Sequence, residues 1–364
     1  MTPTTRLLLA TALGALNLSL AACVSAQDAV PTEAAAPAGR TADRLPPKPV
    51  FEELLGAFDV PGMALATLTG CEPDGVTAVG SANLQTSEPV TANTAFEAAS
   101  LTKPLFAYLV LQLADEGVID LDQPLPPFPA PRVEDREAFA KVTPRMILTH
   151  RTGMPNWAGD SQDEDRTDAI SFESEPGEAY SYSGEAFEIL RAYVEAKSGR
   201  TFQELFEDRL GAAMPNSSVD GTLRGQATSS RGYVSASDGS SSRSLYLTPH
   251  RTGAAWGLVT TAGDYARFLD EVCRGEGLSE AMQADMLRPQ APLPQGMMPG
   301  PASYGLGWVM LQLGPDEIAM HTGNNDEYRS LAAFLPATGE GYVILTNGRN
   351  GEDMISAIME QAQP

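Results

Sequence analysis

In the segment FEAASLTKP, Ser100 is followed three residues later by Lys103. If a helix begins at or just after Ser100, both side chains lie on one face, with the hydroxyl at the positive end of the helix dipole. A serine placed there needs a base, and a lysine one turn on can serve if burial lowers its pKa toward neutrality. Pro104 then falls in or beside the first turn, where a missing N–H costs least. The chain has four lysines, and of these only Lys103 has this spacing from a serine. A Ser-x-x-Lys string alone is more often a helix cap beside a solvated lysine, so the pair needs further support.

Two other segments can join it. In PGEAYSYSG, Tyr180 and Tyr182 precede an expected helix, and a phenol near a serine and a lysine can relay a proton to a leaving group. His321-Thr322-Gly323 follows an apolar run. A small residue there lets a substrate lie along the backbone, and the next N–H, that of Asn324, can donate to an oxyanion. Taken singly, each motif is more simply a packing tyrosine or a turn histidine.

In their order along the chain, the three segments resemble the serine β-lactamase and penicillin-binding-protein superfamily, with its Ser-x-x-Lys, Tyr-x-Asn and Lys/His-Thr-Gly elements. The similarity is greatest to the branch of class C β-lactamases, D-aminopeptidases and family VIII esterases. It extends to the framing segments VPGMALA, MILTHRTGMP, GLVTTAGDYARFL and YGLGW, and covers roughly residues 50 to 360. The resemblance implies an acyl-enzyme hydrolase with Ser100 as nucleophile, Lys103 as base and Tyr182 as the family tyrosine, its register set by Pro176-Gly177. It implies an oxyanion hole from the N–H groups of Ser100 and Asn324, with His321, Thr322 and Gly323 forming the substrate-side strand. His150, in MILTHRTGMP, takes a structural loop position.

Two positions depart from the class C pattern. Gly184 stands where an asparagine would contact substrate, and His321 stands where a lysine would be. Near neutral pH a histidine carries much less charge than a lysine. Both changes disfavour β-lactams and peptide C-termini, unless Arg329 supplies the missing positive charge. The expected activity is therefore hydrolysis of small-molecule or cell-wall-derived esters or amides, esterase-like in preference. The alternatives are a β-lactamase, a D-Ala or D-amino-acid peptidase, or a non-catalytic penicillin-binding envelope protein. No GxSxG string supports an α/β-hydrolase, and without CxxC, HExxH or neighbouring histidines we expect no metal and no cofactor.

The elements that must position these residues follow from periodicity. FEELLGAF reads as a helix, while PGMALATLTG and VTAVGSANL read as strands. A helix from about Ser100 to Glu116 closes at Gly117, and two more span Glu185–Ser198 and Thr201–Leu210. Residues Gly221 to Arg251 are Gly/Ser-rich and read as a long surface excursion. YGLGWVMLQL, LAAFLP and YVILTN are strands, followed by an amphipathic helix carrying Met354, Ile355, Ile358 and Met359. The expected fold is α+β: an antiparallel sheet built from both chain ends (50–95 and 300–362) and flanked by helices, with an inserted, mostly helical region (96–299).

Composition bounds the setting. Hydrophobic residues at 43% and charged residues at 20% describe a globular protein, and a net charge of −23 repels nucleic acid and anionic lipid. Arg6 followed by LLLATALGALNLSL is too short and too diluted to span a bilayer and reads as a signal peptide, residues 1–23. Its end, Leu20-Ala21-Ala22-Cys23, resembles a lipoprotein box. That makes Cys23 the expected lipidation site of an exported, periplasm-facing lipoprotein, with cleavage after Ala26 as the competing secreted form. Only that lipid would touch a membrane. Residues 24–49 are Ala/Pro/Glu-rich and read as a disordered linker reaching roughly 25–30 Å. Cys71 and Cys273 are left either as a disulfide or as two buried thiols.

Overall fold

The computed structural model describes residues 45–126, 130–159, 167–240 and 252–361. The expected signal peptide, Cys23 and most of the expected linker lie outside these residues. The helix α1 (Lys48–Phe58) starts inside the stretch read as linker, because Pro49 sits in its first turn, where no helical bond is lost. There follow β1 (Gly62–Thr69), β2 (Glu72–Asn83), β3 (Glu88–Pro89), β4 (Thr94–Ala99) and α2 (Thr102–Asp115). The middle of the chain supplies α3 (Arg136–Phe139), α4 (Pro144–Leu148), α5 (Gly184–Ser198), α6 (Phe202–Arg209), β5 (Thr228–Ser229), β6 (Leu258–Thr260), α7 (Ala262–Arg274) and α8 (Glu280–Leu287). The last part gives β7 (Ala291–Pro292), β8 (Ala302–Tyr304), β9 (Val309–Leu313), β10 (Asp316–Asn324), β11 (Arg329–Phe334), β12 (Gly341–Thr346) and α9 (Gly351–Gln361).

Nine strands form one antiparallel sheet in the order β3-β2-β1-β12-β11-β10-β9-β8-β7, so the two chain ends meet at the β1–β12 pair. This is the α+β architecture expected from the sequence. Strand alternation divides the core in two. On the front face Ala64, Ala66, Ala319, Ala332, Val343 and Leu345 pack toward α2 and α7. On the back face Met63, Leu65, Met320, Leu331 and Ile344 pack with residues of α1 and α9. A small second sheet, β5-β4-β6, lies on the helical side, and its strand β4 crosses the expected boundary between residues 95 and 96.

Helix α2 is buried all round from Thr102 to Leu113, as befits a helix inside a core. It begins two residues later than the periodicity predicts. Ala99 takes a left-handed φ of 52° and Ser100 sits in a turn closed by the Leu101 N–H on the Ala98 carbonyl. YGLGWVMLQL is likewise interrupted, with β8 ending at Tyr304 and β9 starting at Val309.

The Gly/Ser-rich stretch is only partly a surface excursion. Its Thr228–Ser229 pairs with β4, Ser230 Oγ donates to the Ala95 carbonyl, and Tyr233 is fully buried with its hydroxyl accepting the Leu84 N–H. One aromatic anchor thus pins a segment whose composition reads as solvent-facing. Residues 241–251 lie outside the described residues. Cys71 and Cys273 form a disulfide, Cα–Cα 5.8 Å, joining the β1–β2 turn to the end of α7. The link spans 202 residues and narrows the unfolded ensemble.

Candidate active site

The turn leading into α2 and the first turn of that helix carry the central pair. Lys103 Nζ donates to Ser100 Oγ at 3.1 Å and to the Ala255 carbonyl at 2.8 Å, and it lies 4.7 Å from the Tyr182 ring centroid. Lys103 is 1% exposed. Burial brings its pKa down from 10.5 to about 7, while the charge of Glu188 acts in the opposite direction. Glu188 is itself fixed, accepting from the Ala255 N–H at 3.0 Å and from Arg191 at 3.0 Å. An amine near pKa 7 beside a hydroxyl is half neutral at physiological pH and able to take a proton.

Tyr182 enters from the loop before α5, with its phenol close enough to the Ser100 side chain to be influenced by it. Burial, the largest influence, pushes its phenol well above the usual tyrosine range. The ring is therefore a neutral hydroxyl and not a phenolate. Its backing is His150, fully buried at a left-handed φ of 53°, with the two ring centroids 4.3 Å apart. His150 Nδ1 accepts the Ser183 N–H at 3.0 Å, and its carbonyl accepts the Ser181 N–H. It grips both neighbours of Tyr182. Ser183 in turn caps α5 through Ala186 N–H.

The third segment lies at the end of β10. A Cβ on Gly323 would fall 2.2 Å from Ser330 Oγ and 2.4 Å from the Ala98 carbonyl, so only glycine lets this strand close on the end of β4. Ser330 Oγ donates to that same carbonyl at 2.8 Å. The Asn325 N–H bonds the Tyr328 carbonyl, which makes 325/328 a hydrogen-bonded pair. By antiparallel alternation Asn324, opposite Arg329, is then in a non-bonded pair with its N–H directed away from β11. On that side β9 ends its pairing at Met320, leaving the edge open.

His321 is 4% exposed and fully engaged. Its Nδ1 lies 2.7 Å from the Thr322 carbonyl, which can only accept, so Nδ1 carries the proton. Nε2 then accepts from the Tyr304 hydroxyl at 2.6 Å. Burial, with Lys103 nearby, lowers the His321 pKa to about 3. The neutral ring is committed to Tyr304 and the backbone.

The remaining expected residues are placed differently. Thr322 and Asn324 share strand parity with Met320, so their side chains belong to the back face. Gly184 is buried against Trp157, whose ring atoms would lie 2.5 Å from a Cβ built there. Trp157 thus fills the space that a side chain at this position would need. Arg329 has the parity of Leu331 and Ala333 and faces α9, on the side of the sheet away from Ser330 and Ala98. It does not supply a cation to the front face. Tyr304, Trp157 and Glu188 were not singled out from the sequence. The first lies within the YGLGW segment, the only signal that pointed near it.

The Beta-lactamase family matches residues 48–363. The chain belongs to that family. It is a serine hydrolase, and its relatives divide in activity. It is 26% identical over 274 residues to the D-alanyl-D-alanine-carboxypeptidase/endopeptidase AmpH of Escherichia coli (strain K12), covering 68% of this chain and 70% of AmpH. It is 32% identical over 149 residues to Esterase EstB of Burkholderia gladioli, covering 34% of this chain and 37% of EstB. The octameric penicillin-binding protein homologue from Pyrococcus abyssi shares the fold, with a TM-score of 0.73 at 20% identity over 87% of this chain and 77% of that one. Among the described residues no His/Cys/Asp/Glu group is arranged to hold a metal, and no helix is long and apolar enough to cross a membrane.

Proposed function

We propose that this family member is an esterase-like hydrolase that turns over small acyl esters through a Ser100 acyl-enzyme. The observation that carries the proposal is the 3.1 Å contact of Ser100 Oγ with a buried Lys103 whose pKa is about 7. Neutral Lys103 takes the Ser100 proton as Oγ attacks the ester carbonyl. The N–H groups of Ser100 and Asn324 stabilise the tetrahedral oxyanion. Tyr182, a neutral phenol beside Ser100, relays the proton held by Lys103 to the leaving alkoxide. Water, giving its proton to the same amine, then attacks the acyl-enzyme, and that proton returns to Ser100 Oγ as the acid leaves.

Specificity follows from what faces the cleft. A peptide C-terminus or a β-lactam presents a carboxylate, and the strand offers it a neutral, committed His321 in place of a cation. Arg329 faces the other way, and Trp157 fills the place of the missing asparagine side chain. A lost charge-assisted bond and a lost neutral one together weaken transition-state binding by about 2.5–4 kcal/mol, or a hundred- to a thousandfold. Simple esters lose neither. The similarity to EstB favours this reading, and that to AmpH favours cleavage of D-alanyl peptides as the second. Comparing kcat/KM for a short p-nitrophenyl ester, a chromogenic cephalosporin and a D-Ala-D-Ala peptide tests it. A wild-type preference for either carboxylate substrate overturns the esterase assignment.

For the setting, we propose an exported protein with a signal peptide over residues 1–23, lipidation at Cys23, a linker and then the hydrolase domain. The Cys71–Cys273 disulfide supports an oxidising compartment. A mature N-terminus at Gln27 without added acyl mass would contradict the anchor.

A further inference from the structure

Behind the strand that carries His321, a cavity of about 230 Å3 lies between β10–β11 and α9. It is open to solvent on one side, where the exposed Thr322, Asn324 and Glu352 form part of its lining. Its walls are apolar, formed by Ile318, Met320, Leu331, Ile355 and Met359 among others. One cation enters it. The Nη1 of Arg329 donates to the carbonyls of Asp326 and Tyr328, but its Nε is sealed from solvent and has no acceptor among the described residues. Burial is the largest influence on this guanidinium and acts against its charge, while the carboxylates of Glu352, Asp326 and Asp353 favour the charge and Arg349 opposes it. Glu352, also on the lining, is exposed, so water satisfies its carboxylate. An apolar chamber with one buried donor that lacks an acceptor is complementary to a ligand with a hydrocarbon body and an anionic head.

We propose that this cavity binds a small apolar monocarboxylate, with its chain between β10–β11 and α9 and its carboxylate on Arg329. The site stands apart from the cleft. Thr322 and Asn324 line it from behind, whereas the Asn324 N–H points out along the open strand edge. An occupant therefore touches the oxyanion strand without competing for Ser100. The proposal does not depend on the esterase reading.

The test is a titration of the full chain, carrying 13C-methyl methionine, with hexanoate and in parallel with 1-hexanol. The methyl signals of Met320 and Met359 should shift saturably, with hexanoate bound more tightly than hexanol. Arg329→Gln should weaken hexanoate about ten- to a hundredfold and leave hexanol unchanged. Ser356→Leu, which fills the cavity from α9, should abolish both and serves as the control if Arg329→Gln folds poorly. Absence of saturable shifts at Met320 and Met359, hexanol binding as tightly as hexanoate, or hexanoate binding untouched by both variants would overturn the site.

Discussion

Tyr304 donates a 2.6 Å hydrogen bond to His321 Nε2, across the strands on either side of β9. With Nδ1 bound to the Thr322 carbonyl, the bond leaves His321 no free nitrogen for a substrate. We predict that His321 does not titrate between pH 5 and 9, because its pKa is lowered to about 3. Tyr304→Phe removes a donor that favours the neutral ring, so the His321 pKa should rise. Imidazole NMR signals followed against pH check both statements. A wild-type midpoint near 6.5 would return a positive charge to the front face.

The pH dependence of turnover should report Lys103. As the base it must be neutral, so kcat/KM for an ester should fall as pH drops through about 7. Glu188 raises the Lys103 pKa, so Glu188→Gln should move this acidic limb to lower pH. A limb that stays in place would remove Glu188 from the electrostatics of the site.

Stability should carry the same signature with a fixed sign. Lys103 has a lower pKa folded, about 7, than unfolded, near 10.5, so between these values the unfolded chain binds more protons. Burying the amine therefore costs most below pH 7, on the order of 5 kcal/mol, and the cost disappears as pH rises toward 10.5. Lys103→Met should be more stable than wild type at pH 6, with the advantage shrinking by pH 10. The measurement is urea unfolding at both pH values. An advantage independent of pH would show that packing and not charge decides it.

Legibility from sequence tracked how local each cause is. The spacing of Ser100 and Lys103, the apolar face of α2 and the strands at both chain ends are local or periodic, and they appear in the structure as read. The late start of α2 was hidden because it turns on Ala99 at φ 52°, a conformation alanine rarely adopts. Arg329 was placed near His321 by sequence distance, but strand parity sends the two side chains to opposite faces. Only the register through the 325/328 turn reveals this. Trp157 filling the side-chain space of Gly184 joins residues from a loop and a helix start, and Tyr304 reaching His321 joins strands separated by β9. No periodicity encodes such meetings. The anchoring of Tyr233 was masked by a polar composition that is right for most of its neighbours.

Covalent labelling measures most directly the activation of Ser100 by Lys103. Intact and peptide mass spectrometry after exposure to a fluorophosphonate should find one adduct, on Ser100, in wild type. Lys103→Met should be folded by circular dichroism and should label at least a hundredfold more slowly, in line with the loss of a general base. An adduct on any other serine, or undiminished labelling of folded Lys103→Met, would contradict that activation.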